Sequence, residues 1–259
     1  MDVLISVVSR VGARERNEDA CGYWRDGGPV CCVLSDGAGG HGGGDVASRI
    51  AVESVLGSFA KHPECSSHNV ASLIARANHE VMQEQSRNDR LSDMRATLVV
   101  LALDPRGRLS LWGHVGDSRL YMLRNGYVEA RTKDHSLLQS MIDAGFVDPA
   151  GPHRQRDRSV LVASLGSDDG FDPDVLNDPV TLNAGDAFLL CSDGFWEHTS
   201  DAAIEAALQR SASPDDWLEQ LERRVADANK PAQDNYSAIA VWCGPMDFTT
   251  RTMAVQRPG

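Results

Sequence analysis

Short apolar runs rich in β-branched residues, spread along the whole chain, constrain the fold more than any other feature. They cover residues 3–9, 30–34, 97–103, 109–115, 119–123, 187–191 and 237–242. Such lengths suit strands and are too short for most helices. Pro105-Arg106-Gly107-Arg108 marks a turn between two of them. Asn125-Gly126 is a two-residue hairpin signal before a further strand at 127–131. Helical patterns sit between the groups of strands. Ala47, Ala51, Val55 and Phe59 recur at four-residue steps beside Val52 and Leu56, and a second helix is expected over 69–87. Ser213-Pro214-Asp215-Asp216 reads as a helix start, with a cap, a proline in the first turn and then acids. Trp217, Leu218, Leu221 and Val225 supply its apolar stripe. Groups of strands with separate helices predict an α+β layered domain of antiparallel sheets covered by helices. There is no internal repeat. Residues 1–243 are expected to form a single domain and 244–259 a surface tail.

Composition removes several function classes. The 259 residues are 42% hydrophobic, enough for a sizeable core, and the net charge is -12. A nucleic-acid partner is not expected, because counterion release needs a basic surface. No apolar run approaches the roughly 18 residues needed to cross a bilayer. The first nine residues lack a basic n-region and a cleavage site, so no signal peptide is expected. None of the six cysteines forms a C-x-x-C pair. Buried, reduced thiols in a cytoplasmic protein are expected. Cys31 and Cys32 should point to opposite faces of one strand.

Against this background five segments place acids at or near strand ends. They are Arg14-Glu15-Arg16-Asn17-Glu18-Asp19, Ser35-Asp36-Gly37-Ala38-Gly39-Gly40, Gly116-Asp117-Ser118-Arg119, Ser192-Asp193-Gly194 and Asp234-Asn235. Any one Asp-Gly reads as a turn. Two such pairs, each closing an apolar strand, are less ordinary, because a carboxylate at a buried strand end needs a partner. Hard divalent cations such as Mg²⁺ and Mn²⁺ are one partner. A glycine beside an acid lets a backbone carbonyl approach an ion closely.

In this order the five segments resemble the metal-dependent protein phosphatases, the type 2C serine/threonine phosphatases, in their bacterial form. The resemblance runs from Val11 to Trp242. It implies a central β-sandwich of two antiparallel sheets flanked by helices, in α-β-β-α layers. It implies two, or with a third site three, Mn²⁺ or Mg²⁺ ions. Asp36 would be shared by two ions and Gly37 would lend its carbonyl. Glu18 and Asp19 would serve the second ion, partly through water. Asp193 and Asp234 would complete the site of the first, and Asp117 would belong to a third. Arg14 would grip phosphate oxygens with its planar fork. A water activated by two nearby ions would attack phosphorus in line. The implied substrate is a phosphoserine or phosphothreonine protein. An opposing serine/threonine kinase and a monomeric state are expected with it.

The chain departs from many eukaryotic members at Ala38, where they carry a histidine as candidate general acid. His41 and His153 are weak substitutes. Lys133-Asp134-His135-Ser136 resembles a family segment that precedes a helix and reads as structural. The loop 148–158 is either a functional flap or a plain surface loop. Two rivals remain. Gly37-Ala38-Gly39-Gly40-His41-Gly42 matches a dinucleotide-binding G-x-G-x-x-G. Asp36 beside a pyrophosphate and the lack of a following strand count against it. The other rival is a phosphatase-fold module that binds phosphopeptides without turnover.

Overall fold

The computed structural model of the protein describes residues 1–39, 43–148, 160–168, 171–228 and 233–245. Two antiparallel sheets lie at its centre. The first has the order β1 (Val3–Arg10), β12 (Tyr236–Cys243), β11 (Asp186–Cys191), β7 (Arg119–Arg124), β8 (Tyr127–Arg131). The second has the order β10 (Val180–Thr181), β6 (Leu109–Val115), β5 (Leu98–Asp104), β3 (Val30–Ala38), β2 (Asp19–Arg25). Two short strands extend it: β4 (Arg95–Ala96) on β3 and β9 (Asp174–Val175) on β6.

Every apolar run expected to be a strand is one. β3 runs further than expected and carries the first Asp-Gly pair inside its last turn of pleat. β2 was not expected. It is an edge strand of mixed exposure, so its apolar alternation is weak. Asn125 (φ 54°) and Gly126 (φ 80°) make the tight connection between β7 and β8.

The period of two along each strand builds the layers. Cys32, Leu34, Val99, Leu101, Phe188, Leu190, Ile239 and Val241 fill the core between the sheets. Their neighbours in sequence point outward to the helices. Cys31, Val33, Val100 and Ala102 pack under α1 (Gly44–Phe59) and α2 (Ser67–Arg87). Leu189, Cys191, Ala238 and Ala240 pack under α5 (Asp201–Leu208) and α6 (Pro214–Asp227). Cys31 and Cys32 do face opposite ways. The result is the expected α+β sandwich with helices on both sides.

The start of α6 is as expected. Ser213 Oγ accepts from the Asp216 N–H at 3.1 Å, and Trp217, Leu218, Leu221 and Val225 are buried. The helix α5 and two short ones, α3 (Leu137–Asp143) and α4 (Asp193–Trp196), lacked a legible stripe. β3 is followed by α1 and then α2, and all strand pairs among the described residues are antiparallel. The glycine run therefore opens no βαβ unit. No helix among the described residues is long and apolar enough to cross a membrane. The expected tail lies almost wholly outside the described residues, as do most of loop 148–158, His41 and His153.

Candidate metal centre

Alternating strand directions bring the acids to one end of the sandwich. Asp19 opens β2 and Asp36 lies near the close of β3, and the two are Cα partners. Cys191 ends β11 opposite Arg119, which starts β7. Asp193 and Asp117, two residues beyond each, leave at the same end. The Ser192 N–H donates to the Ser237 carbonyl at 3.1 Å, which fixes the start of β12 and Asp234 just before it. Ser192 Oγ then donates to Asp19 Oδ2 at 2.8 Å, joining the two sheets at the site.

The acids repel each other in a poorly hydrated place. Burial, then the charges of Asp193, Asp19 and Asp117, raise the Asp36 carboxyl well above the usual range, and its side chain touches that of Asp193. Burial and Asp193 do the same to Asp117. Asp19 is pushed up to about 7 by burial, although the Ser237 and Ser192 hydroxyls pull the other way. Asp193 is raised to about 6, by burial first and then by Asp234. Glu18 is raised by burial and by Asp45. One oxygen of Asp19 and one of Asp45 are buried without a hydrogen-bond partner. Carboxylates this crowded cannot all ionise unless a cation joins them. Arg14 offsets little of this: its Nη2 lies 2.8 Å from Asp234 Oδ2, and both side chains are exposed. A set of hard oxygens with an unpartnered buried carboxylate oxygen suits Mg²⁺ or Mn²⁺.

Neighbouring residues hold the acids in place. Asn235 accepts from the Glu18 N–H at 2.8 Å and donates to the carbonyls of Val11 (2.7 Å) and Arg16 (2.8 Å). It thus anchors the loop that carries Arg14. Buried Thr97 accepts from the Asp36 N–H at 2.9 Å and contacts Ser118 Oγ at 2.7 Å. Arg119 forms a bidentate pair with Asp134 (2.7 Å twice) and lies 3.4 Å above the Trp196 ring. The Trp196 indole N–H donates to the Asp117 carbonyl at 2.9 Å. Sequence reasoning missed Asp45, Thr97 and Trp196. An acid directly after a glycine run at a helix start was the available signal for Asp45. The other two act through contacts that have no local pattern. Lys133–Ser136 behaves as read: Asp134 holds Arg119, and Ser136 Oγ accepts from Gln139 N–H at 3.2 Å as the cap of α3.

The two glycines at the site are there for space. A Cβ on Gly37 would lie 2.0 Å from the Gly44 carbonyl oxygen and 2.8 Å from that of Glu18. A Cβ on Gly194 would lie 2.1 Å from the Asn235 carbonyl oxygen. Backbone at those distances cannot yield locally. Gly37→Ala is expected to lower stability by about 2 kcal/mol or more, as overpacking does, and to displace Glu18. A thermal melt unchanged within a degree would show that the strand end has slack.

Comparison with known proteins agrees with this architecture. The family model described as Protein phosphatase 2C matches residues 8–235. The serine/threonine protein phosphatase PstP of Mycobacterium tuberculosis is 31% identical over 196 residues, which is 76% of this chain. The chain spans 37% of the length of that relative. The protein phosphatase PhpP of Streptococcus pneumoniae is 27% identical over 229 residues, 86% of this chain and 92% of the relative. A crystal structure of the Mycobacterium tuberculosis phosphatase PstP/Ppp superposes with a TM-score of 0.80 at 26% identity, covering 94% of this chain and 99% of that one. The catalytic domain of PstP solved with two manganese ions has the same fold, with a TM-score of 0.78 at 24% identity, covering 94% and 99%. The chain belongs to the protein phosphatase 2C family.

Proposed function

We propose that the protein is a metal-dependent phosphatase that hydrolyses phosphoserine and phosphothreonine in proteins. The observation that carries this reading is the convergence of acids from five segments at one end of the sandwich, those of four of them poorly hydrated and mutually repelling. Family membership and the manganese ions of the PstP domain support it. The proposed ligands are Asp36, Asp193 and Asp234 for one ion, and Asp36, Glu18, Asp19 and the Gly37 carbonyl for a second. Asp117 would serve a third. Bound Mn²⁺ or Mg²⁺ would supply an activated water as nucleophile and neutralise phosphoryl charge.

The remaining steps belong to the chain's own residues. Arg14 sits on the rim, so its guanidinium can exchange Asp234 for phosphate oxygens as substrate arrives. Asn235 fixes the loop that presents it. Ala38 offers no proton to the leaving alkoxide, and a water at the site would supply it. Arg14→Ala is expected to raise KM roughly tenfold with a smaller change in kcat, as loss of a charge-assisted contact made in ground and transition state alike would do. A fall in kcat alone would place the contact in the transition state instead.

The deciding assay is turnover of an aryl phosphate and of a phosphothreonine peptide, with and without Mn²⁺. Metal-stimulated hydrolysis that EDTA abolishes is the expected result. Peptide binding without hydrolysis would favour a binding module. The wider reading is of one catalytic domain over 1–243 with a tail at 244–259, a monomer in the cytoplasm, opposing a serine/threonine kinase. The shared core between the two sheets supports the single domain.

A further inference from the structure

We propose that His114, His135 and Asp174 form a separate metal site that takes a borderline-soft divalent ion of the Zn²⁺ class. None of the three belongs to the acid centre. They meet through the second sheet. His114 on β6 is the Cα partner of Asp174 on β9. His135 follows β8 and is held by its own backbone, whose N–H donates to the Gly116 carbonyl at 2.9 Å. One ring nitrogen from each histidine and one Asp174 oxygen lie within 4.8 Å of one another. His135 Nε2 and Asp174 Oδ2 are 3.6 Å apart. That is too long for a hydrogen bond. It is close to the edge, about 3.3 Å, of a tetrahedron with metal–ligand bonds of about 2.0–2.1 Å. The two rings lie 4.6 Å apart between centroids, tilted by 39°.

The surroundings prepare His114 as a ligand. His114 Nε2 is 2.7 Å from the Lys133 carbonyl. A carbonyl only accepts, so this nitrogen carries the proton and the neutral ring keeps its lone pair on Nδ1. A ring nitrogen tied to a backbone carbonyl is the usual support of a metal-bound histidine. Burial lowers the His114 pKa and keeps the ring neutral, the form that binds metal. An ion on His135 Nε2 would move the proton to Nδ1. The contact of Nδ1 with the Gly116 N–H, 3.4 Å and already long, would then be given up. His114 and Asp174 line a cavity of about 260 Å³, with room for water beside them. The cations beside it are engaged elsewhere: Arg131 with Asp201 at 3.2 Å and Lys133 with Asp143 at 3.5 Å. Two imidazoles and one carboxylate favour a late first-row ion over Mg²⁺.

The test is a Zn²⁺ titration of the ¹⁵N-labelled full chain in excess Mg²⁺, read on the side-chain nitrogens of its eight histidines. Two histidines are expected to shift at one equivalent of Zn²⁺, together with the Gly116 amide. Asp174→Ala, at an exposed side chain, is expected to weaken Zn²⁺ binding roughly tenfold or more, and His135→Asn to abolish the shifts. Asp193→Asn, in the acid centre, should leave them intact. The site is refuted if no histidine responds. It is equally refuted if Asp174→Ala binds as the unaltered chain does, or if Asp193→Asn removes the shifts. None of these readouts depends on phosphatase activity.

Discussion

Asp36→Asn is expected to lower turnover by roughly 10³-fold or more and, in EDTA above pH 7, to raise the melting temperature. The two halves have one cause. In the proposed centre Asp36 would help hold the ions and supply charge to them. Its loss removes several kcal/mol of transition-state stabilisation, and about 4 kcal/mol corresponds to three orders of magnitude. Without ions the same charge is a liability, because burial first and then Asp193, Asp19 and Asp117 push the Asp36 pKa upward. An amide at this position donates a hydrogen bond to Asp193 as the protonated acid does, with no proton taken up. For a chain of this size each kcal/mol recovered moves the melting temperature by about 2–4 °C. Asp193→Asn should behave alike, since it too sits among acids that raise its pKa. Retained turnover in both variants, or a lower melting temperature in EDTA, would overturn the assignment of these acids.

Stripped of metal, the protein is expected to become less stable as pH rises from about 4 to about 7. The sign follows from linkage. Asp19 has an ordinary value of 3.8 and is raised to about 7 in the folded chain, and Asp193 is raised to about 6. Between those values the folded state binds more protons than the unfolded one, so raising the pH favours unfolding. Well below pH 4 both states are protonated and the penalty vanishes; for Asp19 and Asp193 it is complete once the pH has passed their folded values, and the raised Asp36 and Asp117 extend it further. Asp19 and its acidic neighbours share this penalty, because their protons are coupled. Divalent ions reverse this. Mn²⁺ at a hundred times its Kd should add about 2.7 kcal/mol. The gain should be larger at pH 8 than at pH 5, where protons compete for the same oxygens. Melts across this range with EDTA and with Mn²⁺ decide it. A metal-free curve that is flat or rises with pH would mean that the acids do not repel one another as described.

The layered fold was legible because strand lengths and turns are local properties. Runs such as 109–115 and 127–131 became strands with the same bounds. The cap at Ser213 worked for the same reason. β2 was not legible, since an edge strand with one face half open lacks a clean alternation. The acid segments could be listed from the chain, yet Asp45 was overlooked. Its importance comes from the Glu18 carboxyl beside it, 27 positions earlier in the chain. His135 read as part of a structural segment. Only the pairing of β6 with β9 sets Asp174 within reach of it and of His114.

By itself the sequence supplied the candidates for the proposed centre, Arg14, Glu18, Asp19, Asp36, Gly37, Asp117, Asp193 and Asp234, as its resemblance to the phosphatase family implies them, and the strands and turns around them, which short-range sterics and hydrophobic periodicity dictate. Tertiary structure alone decided that strands running in alternate directions deliver these acids to one end of the sandwich. It also decided that burial and neighbouring charge raise the pKa values of Glu18, Asp19, Asp36, Asp117 and Asp193. Electrostatic energy depends on distance and hydration in space, and neither is encoded in separation along the chain.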